Sequence, residues 1–299
     1  MNMDRRQFIT TAIAGAGSAI LARPALAAAV DPFATVTLGK SGLKVTRIGI
    51  GTGMSGGNRQ SNHTRMGQEK FTALIKHAWD SGIRFYDVAD LYGTHPFLAK
   101  ALKGTPRDQY VICSKIWTRP GGIPEKERPA ADVVIDRFRK ELDTDYIDLV
   151  LIHCMTDKAW TDQEKKNMDI MANLKAKGVI KAHGVSIHSL EALELAAVDP
   201  WVESVHTRIN PYGKYMDDKD PAKVAAVLKK MHDNGKGVVG MKIVSQGDAK
   251  EGAQRDESIR YVLGLGCVDA MIVGFEKPEQ IDDFSKRVAA VLAGGAAVA

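Results

Sequence analysis

The sequence predicts a closed (β/α)8 barrel of the α/β class, the TIM-barrel architecture, preceded by an N-terminal β-hairpin. Short runs rich in Val and Ile alternate with amphipathic stretches to the end of the chain. Successive runs start 24 to 37 residues apart, which is enough for a helix to cross back over a parallel sheet. A closed barrel also leaves no edge strand to protect. An open doubly wound sheet is the alternative fold.

The predicted elements follow one another in a regular order. The hairpin spans Thr35–Leu38 and Lys44–Thr46, with Gly42 at its turn. The eight strands begin near Arg47, Arg84, Tyr110, Tyr146, Ile180, Ser204, Val238 and Val268. Helical spacing of apolar residues, such as Val134, Phe138 and Leu142, supports the helices between the strands. Residues 28–299 are therefore predicted to form one domain.

Residues 1–27 have the pattern of an export signal. Arg5-Arg6 precede a weakly apolar stretch from Thr10 to Ala22, and Ala25-Leu26-Ala27 has the small-x-small pattern of a cleavage site. The paired arginines resemble a twin-arginine signal, by which bacteria export folded proteins. We expect recognition by the twin-arginine translocase and a periplasmic or otherwise exported mature protein. The apolar stretch is too short for a stable membrane span. An ordinary secretory signal and an uncleaved anchor are the alternatives.

Composition and charge argue against several classes of function. The chain is 44% hydrophobic and 26% charged, with a formal net charge of +5. This balance is typical of a soluble enzyme and disfavours a nucleic-acid binder with a dense basic face. Cys113, Cys154 and Cys267 have neither CxxC spacing nor histidines at zinc-ligand intervals. We therefore predict neither a disulfide framework nor a metal site.

Four side chains capable of acid–base chemistry fall at the carboxyl ends of neighbouring predicted strands. Asp87 ends the second strand, and Tyr92 follows it by five residues. Lys115 and His153 end the third and fourth strands. Active sites of (β/α)8 barrels lie at the rim that these strand ends form. Each residue alone is compatible with a structural role such as capping or packing, but their coincidence at one rim favours catalysis.

The four residues together suit proton donation. A phenol, whose ordinary pKa is near 10, is a poor donor at neutral pH unless a cation stabilises its phenolate. We predict Tyr92 as the general acid, Lys115 as the modifier of its pKa and Asp87 as the group that holds Lys115. His153 is predicted to orient the substrate oxygen by a hydrogen bond.

The sequence around these residues resembles the aldo-keto reductase family over about residues 35–288. The matching stretches are Thr37–Val45, Phe85–Gly93, Lys115, Asp145–Leu149, His153, Gly184–Ser186, Gly274 and Pro278–Gln280. The resemblance implies a barrel that binds a nicotinamide dinucleotide in extended form and transfers hydride to an aldehyde or ketone. The four rim residues fall on the family's catalytic tetrad.

The resemblance also implies contacts to the cofactor. The candidate cofactor-binding residues are Gly51, Thr52, Asp87, Ser186, His206, Lys242, Gly274 and Lys277. The family usually has an Asn after the serine that matches Ser186, and this chain has Ile187 followed by His188. The Gln that holds the nicotinamide with them is replaced by His206. The two histidines are therefore candidate substitute donors.

The adenosine end of the predicted cofactor site departs from the family as well. The Arg that often reads the 2′-phosphate falls on Gln280, and the Asn that meets adenine falls on Phe284. Lys277 on the same loop offers an ammonium in place of the guanidinium. We predict NADP as the cofactor, with NAD as the alternative.

Aromatic residues on loops at the same rim are predicted to line the substrate pocket. They are Trp117, Trp160 and Tyr212. The predicted function is NAD(P)H-dependent reduction of a small carbonyl compound to an alcohol. The alternative is a catalytically weak or inactive barrel of the same type, exported as a ligand- or partner-binding protein. Tyr92 and Lys115 would not be needed in such a protein.

Overall fold

The computed structural model describes residues 30–294 and contains the predicted barrel and hairpin. The strands are β1 (Thr35–Leu38), β2 (Leu43–Thr46), β3 (Ile48–Gly51), β4 (Phe85–Asp87), β5 (Val111–Ile116), β6 (Ile147–Met155), β7 (Ile180–Ile187), β8 (Ser204–Arg208), β9 (Gly237–Met241) and β10 (Ala270–Val273). The helices are α1 (Asn62–Arg65), α2 (Gln68–Ser81), α3 (His95–Ala101), α4 (Ala131–Leu142), α5 (Trp160–Gln163), α6 (Lys165–Ala176), α7 (Leu190–Val198), α8 (Pro221–Asp233), α9 (Gly252–Gly264) and α10 (Pro278–Ala293). The predicted export signal lies outside the described residues. Within residues 30–294, no helix is long and apolar enough to cross a membrane.

The strands β3 to β10 form a closed parallel barrel. β10 pairs with β9 on one side and with β3 on the other, so the sheet has no edge. The predicted closed fold is therefore confirmed, and the open doubly wound alternative is wrong. The register places Asp87 of β4 beside Gly51 of β3 and Cys113 of β5. This alignment brings the ends of the first three barrel strands to one rim.

The hairpin β1–β2 closes the amino-terminal end of the barrel. Its buried side chains Leu38, Leu43 and Val45 belong to the same apolar cluster as residues that point into the barrel, such as Phe85 and Leu149. The backbone N–H of Lys40 donates to the carbonyl of Gly235, 2.7 Å away. Because this end is filled with apolar side chains, ligands can reach the barrel interior only from the opposite rim.

A second apolar layer lies between the barrel and its helices. In α4, the residues predicted from helical spacing are all buried: Val134, Phe138 and Leu142. Burying a large apolar side chain stabilises the fold by about 1.5–3 kcal/mol. The helix α8 begins where the Asp220 carboxylate accepts a hydrogen bond from the N–H of Ala222. Such packing and capping fix the barrel rigidly enough to position side chains at its rim.

Candidate active site

The structure brings the four predicted rim residues together. The Lys115 ammonium lies 2.6 Å from the Asp87 carboxylate and donates a second hydrogen bond to the carbonyl of Val88 at 3.0 Å. The same ammonium lies 5.0 Å from the centre of the Tyr92 ring. The Tyr92 hydroxyl is 3.3 Å from Nε2 of His153. The arrangement is a connected chain from a carboxylate to a phenol and an imidazole.

The Lys115–Asp87 ion pair is almost completely buried. Lys115 is 1% exposed and Asp87 is 3% exposed. Burial alone would raise the pKa of the Asp87 carboxyl, but Lys115 and His206 outweigh burial and lower that pKa to about 2. Burial alone would lower the pKa of Lys115, but the Asp87 charge outweighs it and raises that pKa. Both groups are therefore charged at neutral pH, as the predicted role of Lys115 requires.

Tyr92 and His153 are both uncharged at neutral pH. Burial raises the pKa of Tyr92 to about 12, although the Lys115 charge acts in the opposite direction. Lys115 thus modifies the phenol pKa in the predicted sense without bringing it below its ordinary value. Burial and the Lys115 charge lower the pKa of His153 well below its usual range. The site therefore holds a protonated phenol beside a neutral imidazole.

Tyr92 is held by the loop between β3 and α1. A Cβ on Gly53 would lie 2.3 Å from the Tyr92 ring, so the ring packs directly against the backbone of that loop. Asp90, which shares a short 3-10 helix with Tyr92, accepts from Nε of Arg59 at 2.9 Å and from Arg137 at 2.7 Å. The lack of a side chain at Gly53 therefore permits the loop to approach the Tyr92 ring closely.

An elongated cavity of about 560 Å³ extends from the catalytic residues to the beginning of α10. It is lined by the loops that follow β9 and β10. Five of the predicted cofactor-binding residues line it: Gly51, Asp87, Lys242, Gly274 and Lys277. Tyr92 also lines this cavity. The shape suits an extended ligand with one end at the phenol.

Three other predicted cofactor residues lie outside the lining of this cavity. The Thr52 hydroxyl donates to the carbonyl of Asp87 at 3.0 Å, and the Ser186 hydroxyl accepts from the backbone N–H of Cys154 at 3.0 Å. His206 is 0% exposed, and its Nδ1 lies 3.3 Å from Asp87. The expected direct contact of His206 with the cofactor is corrected, since its ring packs inside the barrel and faces the carboxylate that holds Lys115.

The three aromatic residues predicted for the substrate pocket have different environments. The Trp117 ring meets the His153 ring edge to face, with 5.3 Å between centres. Trp160 is 0% exposed, and its N–H donates to the carbonyl of Ala192. The prediction for Trp160 is therefore wrong, because the indole is part of the apolar core. Tyr212 donates its hydroxyl hydrogen bond to α9 and does not line the cavity.

The adenosine end of the predicted cofactor site contains an arginine that the sequence analysis missed. Arg255 of α9 lines the cavity, and its Nε, which lies 3.4 Å from a carboxylate oxygen of Asp283, makes no hydrogen bond. A buried carboxylate oxygen of Glu276, another lining residue, is also without a partner. Gln280 uses its amide oxygen to accept from the backbone N–H groups of Glu276 and Lys277. The sequence did not indicate Arg255 as a candidate, because it lies outside the motif around Gln280.

A second polar group at the rim contains side chains from the end of β6, the loop after β7 and the loop after β5. Sγ of Cys154 is 2.7 Å from Nδ1 of His188 and 3.4 Å from a guanidinium nitrogen of Arg119. Burial, together with the charges of Arg208, Lys242 and Arg119, lowers the pKa of His188 to about 3. The imidazole of His188 is therefore neutral at neutral pH and lies among cationic side chains.

The fold and site define a (β/α)8-barrel enzyme whose proton-donating phenol is backed by a buried ammonium–carboxylate pair. A sequence model of the Aldo/keto reductase family matches residues 47–262, and the chain belongs to that family. Membership confirms the predicted class of activity, NAD(P)H-dependent reduction of carbonyl compounds. The predicted resemblance is thereby confirmed at the level of the family.

Curated relatives match this chain over different lengths. The chain is 24% identical to D-threo-aldose 1-dehydrogenase from a Pseudomonas species, over 84% of this chain and 78% of that protein. It is 29% identical to aldo-keto reductase YhdN from Bacillus subtilis, over 60% of this chain and 54% of that protein. The second match spans about half the length of the relative.

Solved structures share the barrel. An aldo-keto reductase from Bacillus halodurans superposes with a TM-score of 0.66 at 19% identity, covering 89% of this chain and 98% of that chain. An aldo-keto reductase from Klebsiella pneumoniae, solved in complex with NADPH, superposes with a TM-score of 0.59 at 17% identity, covering 88% and 90% of the two chains. At these identities the likeness concerns the fold.

Proposed function

We propose that this protein is an exported reductase that uses NADPH to convert an aldehyde or ketone to an alcohol, with Tyr92 as proton donor. The observation that carries the proposal is the buried Lys115–Asp87 pair, 2.6 Å apart, beside the ring of a protonated Tyr92. A buried lysine is costly without a partner, and here its charge is directed at a phenol. A barrel that only binds ligands would have no need of this arrangement.

The residues divide the chemistry among them. When bound, the nicotinamide supplies a hydride to the carbonyl carbon. Tyr92 donates its hydroxyl proton to the carbonyl oxygen as negative charge develops there. Lys115 stabilises the phenolate that remains, and Asp87 keeps Lys115 charged and oriented. His153 lies within hydrogen-bond reach of the Tyr92 hydroxyl, so the carbonyl oxygen would be held between phenol and imidazole.

The elongated cavity fits a dinucleotide. Tyr92 and Asp87 lie at one end, and the beginning of α10 lies at the other. The lining contains the cations Lys242, Lys250, Lys277 and Arg255 together with the carboxylates of Asp87, Glu276, Glu279 and Asp283. The cations are the groups that suit a ligand with several phosphates. The Arg255 guanidinium, whose Nε lies 3.4 Å from the Asp283 carboxylate, is a cation that such a ligand would meet at the lining. We assign the 2′-phosphate of NADP to Lys277 and Arg255, which supports a modest preference for NADPH over NADH.

Cofactor binding and turnover of the purified mature protein test this function. NADPH should raise the melting temperature more than NADH does, because a ligand that binds only the folded state stabilises it. Addition of aldehydes and ketones from a panel should then consume NADPH. Failure of both dinucleotides to bind would contradict the reductase and favour the ligand-binding alternative. A clear preference for NADH would overturn the assignment of NADP.

Export rests on the sequence of residues 1–27. Changing Arg5-Arg6 to Lys-Lys should hold the precursor in the cytoplasm, because the twin-arginine translocase reads this pair. The matched control is Arg23→Lys, which alters an arginine of the same segment beyond the pair. Fractionation and immunoblotting should show a shorter periplasmic form for the wild type and the control. Undiminished export of the Lys-Lys variant would refute the twin-arginine assignment.

A further inference from the structure

We propose that the carbonyl substrate carries an anionic group, a carboxylate or a phosphate close to the carbonyl, and that Arg119 binds this group. The proposal rests on carbonyl reduction at Tyr92 and adds the class of substrate. Its basis is a guanidinium without a carboxylate partner beside the catalytic imidazole.

Arg119 contacts Cys154, the residue that follows His153 in the chain. Nη1 of Arg119 donates to the backbone carbonyl of Cys154 at 2.9 Å. The guanidinium carbon lies 5.9 Å from the centre of the Trp117 ring, which in turn packs against the ring of His153. A substrate with its carbonyl oxygen between Tyr92 and His153 would therefore extend past Trp117 toward Arg119.

The loop that carries Arg119 is fixed by hydrogen bonds. Nη1 of Arg128 donates to the carbonyls of Thr118 and Arg119, at 2.8 and 2.7 Å. The Trp117 N–H donates to the carbonyl of Gly121 at 2.6 Å. Since the backbone is held on both sides of Arg119, its guanidinium is presented to the rim at little further cost in entropy.

The charge around Arg119 is not neutralised by the described part of the chain. No carboxylate within residues 30–294 forms an ion pair with Arg119 or Lys242, whereas Arg208 is paired with the buried Asp217 at 2.7 Å. The neighbouring His188 is neutral, with a pKa lowered by burial and by these cations. A local excess of positive charge, partly shielded from water, attracts an anion from solution.

The chemistry of the guanidinium favours a carboxylate or phosphate. Its planar fork offers five N–H donors and binds such anions through two parallel hydrogen bonds. Contacts to Cys154 engage one nitrogen, Nη1, and leave the donors on Nη2 and Nε for a ligand. An anion held there would orient the adjacent carbonyl toward Tyr92.

The cofactor's phosphates are the competing source of negative charge. The elongated cavity that fits the dinucleotide is lined by Lys242 but not by Arg119, Trp117 or His153. Both cations act on His188, but only Lys242 of the two lines the cavity. This difference in lining favours Arg119 as a contact to substrate and Lys242 as a contact to cofactor.

Matched pairs of substrates test the proposal on the full mature protein. One pair is benzoylformate and its methyl ester, and the other is glyceraldehyde 3-phosphate and glyceraldehyde. In at least one pair, kcat/KM with NADPH should favour the anion over the neutral compound in the wild type. Arg119→Gln should reduce this ratio about tenfold or more, the scale of a lost charged hydrogen bond. Arg119→Lys, which keeps the charge and loses the fork, should give an intermediate ratio.

Three controls accompany these assays. Arg260→Gln removes one charge from an exposed arginine of α9, and the anion-to-neutral ratio should stay at the wild-type value. The dissociation constant for NADPH, measured by fluorescence titration, reports on the cofactor separately from activity. The melting temperature of each variant reports on folding, and Arg119→Lys provides a second variant if Arg119→Gln does not fold.

The outcomes separate this proposal from the proposed function. Reduction of neutral carbonyls with an anion-to-neutral ratio that does not depend on Arg119 would overturn the substrate assignment and leave the reductase intact. A weaker NADPH affinity at an unchanged ratio would also overturn it and place Arg119 on the cofactor. Reduction of none of the four compounds, without NADPH binding, would overturn both.

Discussion

The two halves of the barrel mouth differ in whether their charged side chains are paired within the protein. On the β4–β6 half, Lys115 and Asp87 satisfy each other, and Tyr92 reaches His153. On the β7–β9 half, Lys242 lines the cavity without a carboxylate partner in the described chain. The comparison indicates that the protein itself pairs the charges used for proton donation, whereas Lys242 on the other half has no carboxylate partner among the described residues.

The β7–β9 half is also the half in which the sequence departs from the pattern that the family resemblance implies. At the positions where the family resemblance implies Asn and Gln, this chain has Ile187-His188 and His206. Ile187 is buried, and His206 faces Asp87 from inside the barrel. His206 of β8 therefore lies beside the catalytic carboxylate, at the position where a cofactor contact is expected from the sequence.

The largest expected effect comes from removing the charge of Lys115 on the β4–β6 half. Lys115→Met should lower kcat/KM by roughly 100- to 10,000-fold, the range of general acid catalysis, because the Tyr92 phenolate loses its stabilising charge. Asp87→Asn should be milder, since Asp87 acts on Tyr92 through Lys115. For both variants, kcat/KM and the dissociation constant for NADPH should be measured.

Stability needs its own control in that experiment. Lys115→Met leaves a buried Asp87 carboxylate without its ammonium partner, a loss that typically costs about 3–5 kcal/mol. The double variant with Asp87→Asn removes both charges and should recover part of the free energy of unfolding without recovering activity. Near-wild-type turnover in either lysine variant would refute the role of Lys115.

An intermediate effect is expected from His188 on the other half, as a dependence of stability on pH. Its folded pKa of about 3 lies below its ordinary value of 6.5, so between these values the unfolded chain binds a proton that the folded chain does not. His188 therefore costs no stability above pH 6.5 and destabilises the fold as the pH falls toward 3. From pH 6.5 to 5 this cost is up to about 2 kcal/mol.

Urea denaturation at the two pH values measures this effect. His188→Gln should lose less free energy of unfolding between pH 6.5 and 5 than the wild type does, by an amount of that order. An equal loss in both proteins would show that His188 is protonated in the folded state, and that the neighbouring cations do not act on it as described.

The smallest expected effect lies at the far end of the cavity. Lys277 is exposed, so Lys277→Met should weaken NADPH binding by about 1 kcal/mol or less and leave NADH binding almost unchanged. The difference should shrink as salt is added, because exposed charges are screened. Arg255→Met on α9 tests the second residue assigned to the 2′-phosphate in the same way. Equal losses for the two dinucleotides would show that Lys277 does not contact the 2′-phosphate.

The sequence predicted the features that repeat or that lie at strand ends. Alternating apolar runs placed all eight barrel strands, and the ends of those runs placed Asp87, Lys115 and His153 at one rim. Side-chain direction in the long loops was not predictable in this way. Trp160, for example, is part of the core. Its position in the sequence does not show which way its ring packs.

Contacts between distant segments were also beyond sequence reasoning. Arg255 reaches the cavity from α9, and Gly53 packs on Tyr92 from another loop. Arg255 is distant in sequence from the catalytic residues, and Gly53 is distant from Tyr92. No periodic pattern links them. The net pKa of Tyr92 likewise depends on the balance of burial against the Lys115 charge, which only the folded environment determines.

The most direct test of proton donation by Tyr92 is to measure carbonyl reduction and NADPH affinity together for Tyr92→Phe. The variant keeps the ring that packs on Gly53 and removes only the hydroxyl. We predict that kcat/KM falls by roughly 100- to 10,000-fold, while the NADPH dissociation constant and the melting temperature stay close to those of the wild type. Retention of most of the turnover by a folded, NADPH-binding Tyr92→Phe protein would contradict the mechanism.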